Sequence, residues 1–195
     1  FVKTTTEYAV EEVRAIENYI GWNLIEHLEI GNEPEKYCAT GYRTCPAYNF
    51  NQYKVEQTKY ITEIRAAFPT MPPNIFQGPQ FYQNWFTYTD DLITSMSPTS
   101  YRSFSFDIYG TDCCGAQPPL NVLLQDTTIA PGKSEIVKGI SRKADQFNKD
   151  WYFCETNHCA CQGYFGFSDT YAAALWMVDW LFTVASMGVT GVNIH

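Results

Sequence analysis

Apolar positions recur at helical spacing from Thr6 to Ile20, where Val10, Val13, Ile16 and Ile20 share one side, and they predict a helix. Ile25 to Glu33 then predicts a short strand, with Gly31 and Pro34 marking its end. From Phe50 to Phe68, the residues Tyr53, Gln57, Tyr60, Ile61, Ile64 and Phe68 fall on one helical face, and Pro69, Pro72 and Pro73 bar the helix from continuing. A strand is expected at 74–79, a helix from Asn84 to Met96 and a strand from Ser103 to Tyr109. The stretch from Gly110 to about Pro131 reads as irregular, and loops of that length are usually functional or disordered. Lys133 to Asn148 predicts a helix and Trp151 to Glu155 a strand. Ser168 to Met187 predicts a helix capped by Ser168 or Asp169 and stopped by Gly188, and Val189 to Ile194 a last strand.

Strands alternating with helices are the pattern of βα units on a parallel sheet, here five strands separated by four helices with one helix in front. In such sheets ligands bind at the carboxyl ends of the strands, and those ends hold the polar and aromatic residues here. Five parallel strands cannot close a barrel that needs eight, and open outer strands expose unpaired backbone. The expected fold class is therefore α/β, an incomplete (β/α)8 TIM barrel, with residues 1–195 as one partial catalytic domain. The chain starts at Phe1 without Met or a basic-then-apolar leader, so it reads as a processed protein or a piece of one. The apolar stretch from Tyr171 to Val189 is broken by Asp179 and diluted by Ala172, Ala173, Ala174 and Ser186. It predicts a buried helix and not a membrane span.

Composition narrows the partners. With 45% hydrophobic residues the chain is globular, and its net charge of −8 without a Lys/Arg cluster argues against nucleic acid, which requires concentrated positive charge. Of seven cysteines, Cys38 and Cys45 bracket a short polar loop and are disulfide candidates, which favours secretion. The odd total leaves one thiol outside any internal pairing. A metal reading of Cys154, His158, Cys159 and Cys161 is weaker, because Cys159 and Cys161 are too close for a zinc module and no second half-site follows.

Two acidic residues stand in matched contexts. Glu33 follows Leu28-Glu29-Ile30-Gly31-Asn32 and precedes Pro34, while Glu155 follows Trp151-Tyr152-Phe153-Cys154 and precedes Thr156-Asn157. Each comes after an apolar strand and before a loop. Paired carboxylates flanking a glycosidic bond let one group protonate the leaving oxygen while the other attacks or directs water. Gly31-Asn32-Glu33-Pro34 resembles the acid/base signature of clan A glycoside hydrolases, whose two glutamates end strands four and seven of a (β/α)8 barrel. Glu155 lies three predicted strands after Glu33, which matches that interval. Together with Ser168-Asp169-Thr170-Tyr171-Ala172-Ala173-Ala174-Leu175-Trp176 and Gly188-Val189-Thr190-Gly191-Val192-Asn193-Ile194-His195, these motifs resemble glycoside hydrolase family 79, the family of fungal-type β-glucuronidases and heparanases. The resemblance runs over nearly the whole chain, from the helix before strand four to the end of strand eight.

The resemblance implies a retaining mechanism on an oligo- or polysaccharide, with Glu155 the nucleophile and Glu33 the acid/base that is protonated when the glycosidic oxygen leaves and ionised when water attacks. Asn32 is then expected to hydrogen-bond the sugar 2-hydroxyl, and Tyr109 to donate to the nucleophile. Gly163 and Tyr164 match a loop Gly and Tyr that hold a substrate carboxylate in the family, and Gln77, Asn193 and His195 are further polar candidates at strand ends. No metal or organic cofactor is implied, since the two carboxylates supply both the proton transfer and the covalent intermediate. One departure is Asp107, where the family usually has histidine; an added negative charge disfavours an anionic sugar. Trp85, Phe81 and Tyr82 are candidates for a sugar subsite, and Trp176 and Trp180 for packing. The alternative reading is an inactive fragment or a carbohydrate-binding pseudoenzyme.

Overall fold

The computed structural model describes residues 5–96, 100–125 and 131–195. The N-terminal residues 1–4, and residues 126–130 of the predicted irregular stretch, lie outside the described ones. Five parallel strands are hydrogen-bonded in chain order, β1 (Leu28–Glu29), β2 (Phe76–Tyr82), β3 (Ser103–Thr111), β4 (Asp150–Cys159) and β5 (Gly191–Ile194). Helices α2 (Phe50–Ala67), α3 (Thr89–Ser95), α4 (Pro131–Phe147) and α5 (Tyr171–Ser186) connect them, and α1 (Thr6–Tyr19) precedes β1. This is the strand order of part of a (β/α)8 TIM barrel. The chain divides into two compact units, residues 1–105 and 106–195, with the division inside β3.

In the first unit, α1 packs on α2. The buried side of α1 is Thr6, Ala9 and Val13, so it is rotated from the predicted stripe: Val10 and Ile16 are half-buried and Ile20 is exposed. Small Ala9 allows the close approach that the larger Val10 and Ile16 do not. Helix α2 follows its predicted face, with Tyr53, Gln57, Tyr60, Ile61 and Ile64 buried. Asn49 caps it, its side-chain oxygen accepting from the N–H groups of Asn51 and Gln52 at 3.0 and 3.2 Å. Gln57 is buried but satisfied, since Nε2 donates to the Ile30 carbonyl at 2.7 Å and to Tyr53 Oη at 2.9 Å. That bond ties α2 to the chain leaving β1. Where one helix from Asn84 to Met96 was expected, a 3-10 turn, Gln83–Tyr88, precedes the shorter α3.

In β3 the two faces separate cleanly. Phe104, Phe106 and Ile108 fill one face, while Ser103, Ser105, Asp107 and Tyr109 fill the other, all buried. Burial of both faces is what a parallel sheet imposes, and polar side chains on one of them mark the barrel-interior side.

In the second unit, Trp176 and Trp180 of α5 are 2% exposed and stack at 5.5 Å, as packing residues should. The helix is not buried all round, however: Tyr171, Leu175, Val178 and Phe182 form an exposed row. Its N-cap is Thr170, whose side chain accepts from the Ala173 N–H, in place of the predicted Ser168 or Asp169. Those two cap the preceding turn instead, Ser168 Oγ accepting from Tyr164 N–H and Asp169 from Gly166 N–H. Where β3 meets α5, a Cβ on Gly110 lies 2.5 Å from Trp176 Cζ2 and 2.8 Å from the His158 carbonyl oxygen. Neither a packed indole nor a strand backbone yields cheaply. Gly110→Ala is expected to lower stability by about 1–3 kcal/mol, read as a lower urea midpoint with unchanged slope.

Candidate active site

The carboxyl end of β1 is built by backbone conformation more than by strand. β1 stops at Glu29, well short of the predicted end, because Gly31 and Glu33 both take positive φ, 96° and 43°. At Gly31 a Cβ meets Tyr37 Oη at 2.9 Å, so only glycine fits. The same hydroxyl accepts from the Asn32 N–H at 3.0 Å, and burial pushes the Tyr37 hydroxyl above the ordinary phenol pKa. Pairing with β2 then resumes for one rung, Glu33 N–H donating to the Gln80 carbonyl at 3.2 Å. Beyond it runs a 3-10 turn, Pro34–Lys36. The Glu33 side chain is 14% exposed, and Lys36 Nζ lies 2.9 and 2.8 Å from its two oxygens. Lys36 also sits 3.8 Å from the centroid of the Tyr82 ring, a cation–π contact. Asn32 is exposed at the rim, and Gln77 is buried on β2 with Nε2 donating to Ser103 Oγ at 3.0 Å. Phe81 is fully buried, and Trp85 is half-buried in a ring cluster with Tyr48, Phe50, Tyr53 and Tyr88. Both serve packing here, whereas Tyr82 reaches the acidic turn.

In the second unit, Tyr109 of β3 donates its hydroxyl hydrogen bond to Glu155 Oε1 of β4. Neither residue closes its strand as predicted: β3 runs on to Thr111 and β4 to Cys159. The reason is visible in the pairing of β4 with β5. Phe153 pairs with Val192 and Thr156 with Ile194, so one extra residue of β4 falls between the rungs, at Cys154-Glu155. Burial changes parity there, from Trp151 and Phe153 to Thr156 and His158. A bulge of this kind re-aims a side chain without ending the strand. Glu155 is carried on it.

Past the bulge, a cavity of about 350 Å³ is lined by Asn157, His158, Gln162, Gly163, Ser168 and His195. Gly163 and His195 of the predicted set meet there. His195 also lies edge-on to Tyr109 at 6.2 Å between ring centroids, and its N–H donates to the Thr156 carbonyl. Tyr164 is 42% exposed and Asn193 is exposed on β5, and neither lines the cavity. Asp107 is fully buried on β3. His158 is buried between Phe167 and Trp176, its Nδ1 at 2.6 Å from Asn157 Oδ1, and burial lowers its pKa. An amide oxygen only accepts, so Nδ1 carries the proton.

Three disulfides form among the described residues. Cys38–Cys45 is as expected, and Cys113–Cys159 and Cys114–Cys161 join the loop after β3 to the end of β4. Cys159 and Cys161 are thereby removed from the weighed metal set, leaving Cys154 outside the three bonds. Among the described residues no helix is long and apolar enough to cross a membrane.

What sequence reasoning missed lies beside Glu33. Glu35 accepts from the Tyr82 N–H, and burial pushes its carboxyl up to about 8. In the sequence it is one acid in a charged loop, with no signal to separate it from a solvated residue.

No family model and no curated sequence matches the chain. Solved structures do. A 4-O-α-L-rhamnosyl-β-D-glucuronidase from Fusarium oxysporum 12S matches at TM-score 0.77 and 19% identity over 98% of this chain and 41% of that one. The GH39 enzyme from Xanthomonas axonopodis pv. citri matches at 0.67 and 16% over 97% and 36%, and the family 44 endoglucanase Cel44A from Clostridium thermocellum at 0.67 and 12% over 95% and 46%. The chain thus spans less than half the length of each. These likenesses establish the fold, and the three proteins named are glycoside hydrolases.

Proposed function

We propose that the chain is part of the catalytic (β/α)8 domain of a secreted retaining glycoside hydrolase that cleaves β-glucuronosyl or related β-glycosyl linkages. The observation that carries the reading is the Tyr109–Glu155 hydrogen bond, a neutral donor aimed at a carboxylate on a strand bulge. In the double displacement, Glu155 attacks the anomeric carbon and Glu33 gives its proton to the leaving oxygen. Water then attacks the glycosyl-enzyme, and Glu33 takes its proton as the Glu155 carboxylate leaves. The Tyr109 hydroxyl fixes the attacking oxygen and accompanies the carboxylate that re-forms. The glucuronosyl preference is supported by the family 79 resemblance and by the glucuronidase among the neighbours. Three disulfides support an oxidising, extracellular compartment.

The test is a panel of 4-nitrophenyl β-D-glucuronide, β-D-xyloside and β-D-glucoside, with the first-formed anomer read by proton NMR. Fastest release from the glucuronide and a β-anomer appearing first are expected. An α-anomer appearing first ends the retaining mechanism. One observation favours the second reading, a carbohydrate-binding pseudoenzyme: the Lys36 ammonium lies against both Glu33 oxygens, the atoms that an acid/base must present to the glycosidic oxygen. Oligosaccharide binding by calorimetry with no turnover of any panel member is the result that reading requires.

A further inference from the structure

We propose that Glu35 is the positioning residue of Glu33: by accepting the Tyr82 N–H, its carboxyl holds the left-handed turn from which Glu33 projects. The inference rests on the reading of Glu33 as acid/base.

Glu33 has φ 43° and ψ 60°, a region that a residue with a Cβ avoids, and it precedes Pro34, whose ring pushes the preceding residue toward extended backbone. Such a conformation persists only where its surroundings over-determine it. Two rungs do so. Glu33 N–H donates to the Gln80 carbonyl, and Gln80 itself has φ 54°. One step on, the chain has turned into the 3-10 turn, and the Glu33 carbonyl accepts from the Lys36 N–H at 2.9 Å. Toward β2 the Glu35 carboxyl accepts from the Tyr82 N–H. Without it, the turn keeps the Glu33–Gln80 rung but loses the tie from Glu35 to the Tyr82 N–H.

The state of the carboxyl fits the role. Its second oxygen, Oε2, is buried with no hydrogen-bond partner among the described residues, so a neutral acid suits the site better than a carboxylate. Desolvation is the main cause that raises its pKa to about 8, with its own N–H, the Tyr82 N–H and Lys36 opposing and the charge of Glu33 adding. Tyr48, from the loop before α2, is the other titratable group coupled to it. The sign follows from linkage. The folded turn keeps a proton that the unfolded chain releases near 4.5, so this group's contribution to stability falls as pH rises from there to about 8. Above that, a second negative charge stands beside Glu33.

The experiment compares Glu35→Ala and Glu35→Gln with the wild type, using the 2,4-dinitrophenyl and phenyl β-glycosides of the panel sugar turned over fastest. Dinitrophenolate leaves without a proton, and phenolate needs one. A misplaced acid/base therefore lowers glycosylation, kcat/KM, only for the second. Glu35→Ala is expected to lose roughly 100-fold on the phenyl glycoside and to stay within about 3-fold on the dinitrophenyl one. Glu35→Gln, which still accepts from Tyr82, is expected to keep both and to flatten the fall in melting temperature between pH 5 and 8. Equal losses on both glycosides in Glu35→Ala, or no loss on either, overturn the proposal. Should Glu35→Ala fail to fold, an unchanged fall in melting temperature between pH 5 and 8 in Glu35→Gln overturns it as well. Glu33→Gln is the control. If it does not show the same leaving-group selectivity, or if no glycoside is turned over, the acid/base reading has failed and takes this inference with it.

Discussion

Replacing Cys113, Cys114, Cys159 and Cys161 together by alanine is expected to remove about 6 kcal/mol of unfolding free energy, while deleting either disulfide alone removes only about 2. The asymmetry comes from chain topology. Cys113–Cys159 and Cys114–Cys161 close loops of sequence separation 46 and 47, and a single cross-link of that span restricts the unfolded chain by about 4 kcal/mol. Once one is in place, the other closes a ring of only a few residues, which is worth about 2. Each bond is thus nearly redundant while its neighbour survives. Urea unfolding of the two single-disulfide variants and of the quadruple variant, followed by the fluorescence of Trp151, Trp176 and Trp180, measures all three differences. A quadruple loss equal to the sum of the two single losses removes the topological argument. Because the bonds join the strands that carry Tyr109 and Glu155, the quadruple variant is also expected to lose activity at temperatures where it remains folded.

How much of this was legible in the sequence depends on the length scale of each cause. The five-strand βα order was legible because each helix buries one face against a strand buried on both, and that produces long regular patterns, as on α2 with Tyr53, Gln57 and Ile64. Departures came where a single contact overrode the pattern. Ala9 displaced Val10 from the buried side of α1, and Ser168 and Asp169 capped a turn, leaving Thr170 to cap α5. The β4 bulge leaves no trace in periodicity, because one inserted residue converts a strand that looks finished at Glu155 into one that continues to Cys159. Of the residues proposed for the site, Glu33 and Glu155 stand out through their motifs and Tyr109 through its place on β3, while the Cys38–Cys45 bond was legible through its short loop. The two long-range disulfides and the Glu35–Tyr82 bond were not, because each joins residues 46, 47 and 47 positions apart with no local signature.

The roles assigned to the two glutamates predict opposite stereochemistry under rescue. Glu155→Gly and Glu33→Ala are each expected to lose hydrolysis by roughly 10³-fold or more, and azide is expected to restore turnover of a dinitrophenyl β-glycoside in both. In Glu155→Gly the small anion enters the space left by the nucleophile, on the face opposite the leaving group. One displacement occurs, and the product is the α-glycosyl azide. In Glu33→Ala the nucleophile is intact and dinitrophenolate departs unaided, so the glycosyl-enzyme forms. Azide then attacks from the face that Glu33 vacated, and two displacements give the β-glycosyl azide. Proton NMR of the azide products separates the anomers by their anomeric couplings. Interchanged products reverse the assignment of acid/base and nucleophile, and the same anomer from both variants means that at most one of Glu33 and Glu155 acts at the anomeric carbon. The Lys36 ammonium adds an internal check. In Glu33→Ala it loses its carboxylate partner and leaves an uncompensated cation beside the Tyr82 ring, which draws azide to the Glu33 side. Rescue of Glu33→Ala is therefore expected to saturate at lower azide than rescue of Glu155→Gly, and adding Lys36→Met is expected to remove that difference.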